Sequence, residues 1–437
     1  MKEEIAVFWF RRDLRYNDNT AFSHALKSGL KVLPIFIFDK EILDSLPFKD
    51  PRLDFIITHL QQMNDYFKSH FNSGIQSYHT TPLEAFKSLL NNKDFKISKV
   101  YVNEDYEPYA QKRDLVVKEF LSENKVSFHT FKDQVIYEKD QITKDDGKPY
   151  VVYTPYKNKW LATYNHVYAE GMTPQEMPLD HLLVYPSSLH NHQELGFTPS
   201  EIKVPAYTVS SALIENYEAK RNFPALEDGT SKLGPHLRFG TVSIRALIQK
   251  AKSHKNQVFL SELIWREFFM QILWHFPHTP TKAFKPAYDR IEWRNNEEDY
   301  EKWKNGQTGY PLVDAGMREL NATGTMHNRV RMLVASFLCK HLLIDWRWGE
   351  AYFAEKLLDF ELASNVGNWQ WAAGSGVDAA PYFRIFNPTT QIEKFDKQHA
   401  YINKWVPELN DLSYPSPMVD HKMARERCLS TYKKALA

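Results

Sequence analysis

Four segments in the second half of this 437-residue chain gather side chains that can do chemistry. In Gly229-Thr230-Ser231-Lys232-Leu233-Gly234-Pro235, two hydroxyls, a lysine and a glycine precede a proline suited to a helix start. Such a stretch can offer donors to a phosphate, or simply cap a helix. In Glu262-Leu263-Ile264-Trp265-Arg266, helical spacing puts Glu262 on one face with Trp265 and Arg266. A carboxylate beside an indole suits a base that is both stacked and hydrogen-bonded; the plainer reading is an i,i+4 Glu–Arg pair on a solvated face. The third segment, Met326-His327-Asn328-Arg329-Val330-Arg331-Met332, sets polar and cationic residues in an otherwise apolar helix. A buried arginine needs an anionic partner, and Asp359 is available. That pair suits a site or a structural link between helices, and His327 reads as a core histidine more readily than as a catalyst. The fourth runs from Asp359 through Glu361 and Asn365 to Trp369-Gln370-Trp371. On a helix the two indoles diverge by about 200°, so one can face inward while the other lines a cleft. No metal-ligand cluster, nucleophile elbow or P-loop signature accompanies these segments. Aromatics and amides dominate, which suits a cofactor that performs the chemistry itself.

The elements that must hold these residues are helical. From about residue 206 the stretches 210–219, 244–251, 259–276, 312–320, 328–343 and 349–358 carry helix-period hydrophobicity. The first 131 residues differ. Short β-rich apolar runs at 5–10, 32–38, 100–103 and 126–131 alternate with helical patterns such as 54–60 and 115–121, which predicts a parallel sheet with helices on both faces. No Gly-x-Gly-x-x-Gly follows the first strand; Arg11-Arg12-Asp13-Leu14-Arg15 stands there, so the domain reads as Rossmann-like without the dinucleotide fingerprint. Residues 132–205, with Pro149, Pro155, Pro174, Pro178, Pro186, Pro199 and Pro205 among polar residues, read as a connector wrapped over the surface. The predicted organisation is an α/β domain at 1–131, a connector at 132–205 and an all-α domain at 206–437.

Composition narrows the setting. At 43% hydrophobic and 25% charged residues, with no apolar run of about 18, the chain reads as soluble and globular. Met1-Lys2-Glu3-Glu4 leads straight into an apolar strand with no cleavage site, unlike a signal peptide. Cys339 and Cys428 alone make neither a disulfide framework nor an iron–sulfur site, which fits a reducing cytoplasm. A net charge of +1 leaves any nucleic-acid partner to a local basic patch. Nine of the eleven tryptophans lie at or beyond Trp265, which suits either a large aromatic core or an aromatic cofactor site.

The long motifs Val7-Phe8-Trp9-Phe10-Arg11-Arg12-Asp13-Leu14-Arg15, Thr308-Gly309-Tyr310-Pro311-Leu312-Val313-Asp314-Ala315 and Asp378-Ala379-Ala380-Pro381-Tyr382-Phe383-Arg384-Ile385-Phe386-Asn387-Pro388 are similar to the photolyase/cryptochrome family, specifically its class I cyclobutane-dimer photolyases. The resemblance implies FAD in the helical domain, active in its reduced, anionic form. It implies that Tyr217, Thr230, Ser231, Lys232, Leu233 and Gly234 make the phosphate-side contacts, and that Arg331 and Asp359 form the ion pair beside the isoalloxazine. Glu361 stands where many relatives carry Asp, which displaces the contact there. Asn365 matches the amide facing flavin N5, and Trp369, Trp346 and Trp293 match an electron-transfer chain to the surface. For the substrate, Glu262, Trp265, Asn328, Arg329, Met332 and Trp371 match the pocket for a flipped pyrimidine dimer. Arg221, Arg329, Arg384, Gln391 and Lys394 are candidates for backbone contacts at its mouth.

The implied reaction is light-driven electron donation from reduced flavin to the dimer, with Glu262 hydrogen-bonding the dimer radical anion. The partner is UV-damaged DNA and the protein a monomer. Tyr106-Glu107-Pro108-Tyr109-Ala110 departs from the folate-binding Asn-Glu pair of relatives, so the antenna stands open between a folate, a deazaflavin, a flavin and none. A cryptochrome-type photoreceptor would share the fold and FAD. A (6-4) photolyase normally has a histidine where Asn328 stands, and a non-catalytic nucleotide module would leave the C-terminal motifs unexplained.

Overall fold

The computed structural model describes residues 2–164 and 177–437; Met1, and Pro174 of the expected connector, lie outside them. The described residues divide into two compact units, one drawn from Met1–Glu138, Thr163–Pro205 and Gly234–Lys250, the other from Lys139–Ala162, Ala206–Leu233 and Ala251–Ala437.

The first unit is built on a parallel sheet of β1 (Glu3–Phe10), β2 (Lys31–Asp39), β3 (Gln76–Thr80), β4 (Phe95–Asn103) and β5 (Ser127–Phe131), in the order β3-β2-β1-β4-β5. β1 is central, with Val7 opposite Leu33 on one side and Val100 on the other. Its run from Ile5 to Phe10 is buried on both faces, as a continuous apolar strand should be. Phe8 and Phe10 pack with Phe22 and Phe67, while Val7 and Trp9 pack with Ile35 and Phe86 on the opposite face. The helices Thr20–Leu26, Pro51–Phe71 and Pro82–Leu90 each begin at a side-chain cap, Asn19, Asp50 and Thr81. β3 escaped the sequence reading because Gln76-Ser77-Tyr78-His79-Thr80 is an edge strand with little apolar patterning.

The second unit is helical. Its core joins Trp303, Val313, Val330, Phe337, Phe353 and Trp369 from successive helices. The predicted single helix at 328–343 is an α-helix only over Asn328–Ser336 and then widens into a π turn, Phe337–His341. The predicted surface connector also differs. Tyr153–Thr163 is a helix whose Tyr153, Tyr156 and Trp160 are buried. Trp160 Nε1 donates to Glu267 Oε1 at 2.6 Å, so an interior carboxylate on the Val258–His275 helix holds this segment in place. Composition alone, rich in proline and polar residues, concealed that aromatic face.

Candidate active site

Two helices and the residues just ahead of the second wall a cavity in the helical unit. Asn328–Ser336 carries Asn328, Arg331 and Met332; Leu362–Ala373 carries Asn365, Trp369 and Trp371; Asp359 and Glu361 lie just ahead of the latter. All eight line one open cavity of about 590 Å³. Arg331 Nη2 meets Asp359 Oδ2 at 2.9 Å, and Arg331 Nε donates to Met326 O at 2.7 Å. Asp359 Oδ1 is buried with no hydrogen-bond partner. Asn365 Nδ2 donates to the Glu350 carbonyl at 3.1 Å and to Glu350 Oε1 at 2.9 Å. A carbonyl only accepts, so the amide orientation is fixed and Oδ1 is the atom left to accept. Glu361 faces Arg266 at 3.4 Å and accepts from Ser364 Oγ at 3.2 Å. Arg266 thus reaches across to Glu361, while Glu262 pairs with Arg221.

The start of the Asn328–Ser336 helix is capped by His327, whose Nδ1 accepts from the Arg329 backbone N–H at 3.1 Å. Burial, then the charges of Lys232, Arg331 and Arg329, push the imidazole down to about 4, which keeps that acceptor neutral. His327 and Glu319 both feel the charges of Lys232 and Arg331. Thr230, Ser231 and Lys232 line a second cavity of about 870 Å³ together with Thr208, Ser210 and Asn216. Lys232 adopts a left-handed backbone, φ 58°, a conformation that costs energy in a residue with a Cβ and is concentrated at functional sites. Leu233 is buried, and Gly234 opens the short helix Gly234–Arg238. Tyr217 does not reach this cavity: its ring packs edge-on to Phe259 and lies under the Arg221 guanidinium.

The remaining substrate candidates sit apart from the cavity lining. Glu262 is paired with Arg221. Trp265 is stacked on Tyr153, ring centroids 3.6 Å apart and 10° from parallel. Arg329 donates to Asn222 and lies 4.4 Å over the Phe395 ring. Burial, then Arg221 and Arg384, lower its pKa, so these three guanidiniums form one cationic group. Arg384 and Lys394 are exposed. Gln391 departs from its expected place at the mouth: on the Pro388–Phe395 helix the face bearing Pro388 and Gln391 packs inward.

Of the three tryptophans expected to form a chain, Trp369 and Trp346 are buried and Trp293 is half-buried against Tyr432 at 6.0 Å. Trp369 packs edge-on to Phe353 at 5.0 Å and to Trp303 at 6.2 Å. Gly349 is the residue that admits it, since a Cβ there would come within 2.1 Å of the indole. Sequence reasoning missed Trp303, Glu350 and Tyr153; a tryptophan or glutamate inside an ordinary amphipathic helix gives no local signal of what it faces.

The α/β unit has a cavity of its own, about 850 Å³, at the C-terminal ends of β1 and β2, where open α/β sheets hold ligands. Aromatic walls from Trp9, Phe36, Phe38 and Tyr109 alternate with Arg11, Arg12, Arg113 and Arg238. Glu107 is engaged by Arg12 at 2.9 Å and by Arg238 at 2.6 Å.

Comparison with known proteins agrees with both halves of this description. The model for the FAD binding domain of DNA photolyase matches residues 259–413, and that for DNA photolyase matches residues 6–178. A deoxyribodipyrimidine photo-lyase of Halobacterium salinarum is 35% identical over 99% of each chain. The crystal structure of a class III photolyase from Agrobacterium tumefaciens is similar with a TM-score of 0.87 and 32% identity, covering 100% of this chain and 98% of that one. An archaeal photolyase from Sulfolobus tokodaii, solved with two FAD molecules, gives 0.85 and 34%, covering 99% and 100%. The chain belongs to the photolyase/cryptochrome family. It is a lyase with an FAD-binding helical domain, and its residues fit that cofactor. The partnerless Asp359 Oδ1 and the free acceptor of Asn365 suit the N–H groups of a flavin, while Thr230, Ser231 and Lys232 suit its phosphates.

Proposed function

We propose that this photolyase-family enzyme repairs cyclobutane pyrimidine dimers in DNA. The observation that carries the reading is a single cavity whose wall joins Arg331, Asp359 and Asn365 to Asn328, Met332 and Trp371. When bound and reduced, FAD supplies the light-driven electron that opens the cyclobutane ring. The chain's own residues hold and orient. Asp359 would accept an N–H at Oδ1 while Arg331 holds its other oxygen, and Asn365 would accept another at its Oδ1. Thr230, Ser231 and Lys232 would hold the pyrophosphate. Trp371, at the cavity edge, would stack on a flipped pyrimidine, and Asn328 would hydrogen-bond its polar edge. Trp265 would stack on the second base. Glu262, held by Arg221, would bond the dimer once that arginine turns to a phosphate. Arg221, Arg329, Arg384 and Lys394 would follow the backbone, so affinity falls as salt rises. Trp369, Trp346 and Trp293 would relay electrons inward. A second chromophore, whether folate, deazaflavin or flavin, would occupy the aromatic and cationic cavity beside β1 and β2. The protein would act as a monomer in the cytoplasm; among the described residues no helix is long and apolar enough to cross a membrane.

The test is a thymine-dimer oligonucleotide incubated with reduced protein under blue light and read by chromatography. Dimer loss in the light alone is the expected result. Tight FAD and no dimer loss would hand the chain to the photoreceptor reading.

A further inference from the structure

The segment expected to be a passive connector supplies a residue to the lesion-binding region. Tyr153 lies flat on Trp265, 3.6 Å centroid to centroid. Its hydroxyl is fixed twice on Ser261, one turn before Trp265, with both the carbonyl and Oγ at 2.6 Å. A phenol carries one hydrogen, so it donates to the carbonyl and accepts from the serine hydroxyl. Behind it, Tyr156 and Trp160 continue the same helix face and meet Glu267 at 3.4 and 2.6 Å. The Lys157 ammonium lies 5.9 Å from the Tyr153 ring centre. A half-exposed indole on a helix has several rotamers open to it, and each one lost on binding subtracts from affinity. A backing ring clamped to the same helix removes that loss in advance.

We propose that Tyr153 is a positioning residue for lesion recognition, holding the Trp265 indole in place and thereby setting the preference for damaged over intact DNA. The inference rests on the reading that Trp265 stacks on the flipped dimer. Intact DNA, bound through phosphates, does not use that indole.

The test uses the full-length protein labelled with 5-fluorotryptophan, with the Trp265 resonance assigned by its loss in Trp265→Phe. Affinities are measured by fluorescence anisotropy for a duplex with one thymine dimer and for the same duplex intact. In Tyr153→Leu the Trp265 resonance should shift and broaden. Dimer affinity should fall about tenfold, with intact-duplex affinity within about twofold of wild type. Tyr153→Phe keeps the ring and loses the clamp, so it should lose about two- to threefold, and it serves alone if the leucine variant does not fold. A wild-type preference for the dimer kept unchanged by both variants, with an unmoved Trp265 resonance, overturns this inference and leaves the repair reading standing. A wild-type protein with no preference for the dimer sinks the repair reading and this inference with it.

Discussion

In the α/β unit, Asp133 accepts from Arg15 at 2.7 Å, from Arg245 at 2.9 Å, and from the Thr20 backbone and hydroxyl. In the helical unit, Asp359 receives one guanidinium, from Arg331, and its second oxygen is buried with no partner. Both are acids beside arginines, yet one is closed and the other open. Buried polar groups are ordinarily satisfied, so an acceptor left open at a cavity wall is available to a ligand's N–H. A closed network of the Asp133 kind holds architecture in place.

The contrast is broken most directly at Asp133. Asp133→Ala takes the carboxylate from Arg15 and one of two from Arg245, which keeps Asp18, and should cost about 3–5 kcal/mol in chemical denaturation. Burial alone would raise the Asp133 pKa, but Arg15 and Arg245 overcome it and hold the carboxyl well below the usual range. Its stabilising contribution is therefore complete at neutral pH and fades only as pH falls below the unfolded value, about 3.9, toward the folded one. An unchanged acid-unfolding profile in the variant would refute this.

Lys340 sharpens the contrast from the other side. It is buried in the π turn and donates to the Arg384 carbonyl at 2.8 Å. Burial pushes it from 10.5 down to about 8. The unfolded chain keeps that proton up to about 10.4, so between pH 8 and 10 this group adds stability as pH rises, by about 3 kcal/mol in all. Tyrosines and cysteines titrate in the same window, so the difference between wild type and Lys340→Met isolates the effect. A difference flat with pH would contradict it.

Trp371→Ala should weaken dimer binding by about 1–3 kcal/mol with FAD retained. Unchanged affinity by anisotropy would remove Trp371 from the pocket. The smallest effect on stability belongs to Asp359→Asn. Its pair is about a quarter exposed on each side, so the fold should lose no more than about 1 kcal/mol while FAD content falls. A loss as large as that of Asp133→Ala would erase the distinction between the two acids.

Periodicity and buried strands made the sheet and most helices legible, because a continuous apolar run or a 3.6-residue repeat is written locally. Edge strand β3 and the Tyr153–Thr163 helix were not, since their burial comes from what packs on them. At the site, the need of Arg331 for an acid led to Asp359. The partners of Glu262 and Arg266 could not be read from spacing, because each bonds across helices to Arg221 and Glu361.

The Asn365 amide is tied both to a titrating carboxyl and to a backbone carbonyl that never titrates. Burial raises the Glu350 pKa, so that acid takes up its proton before an exposed glutamate does. The carbonyl still demands the same NH2, and the amide cannot turn over. The polarity that the cavity offers at this point is thus hard-wired: an incoming N–H meets the same oxygen whatever the acidity around the protein.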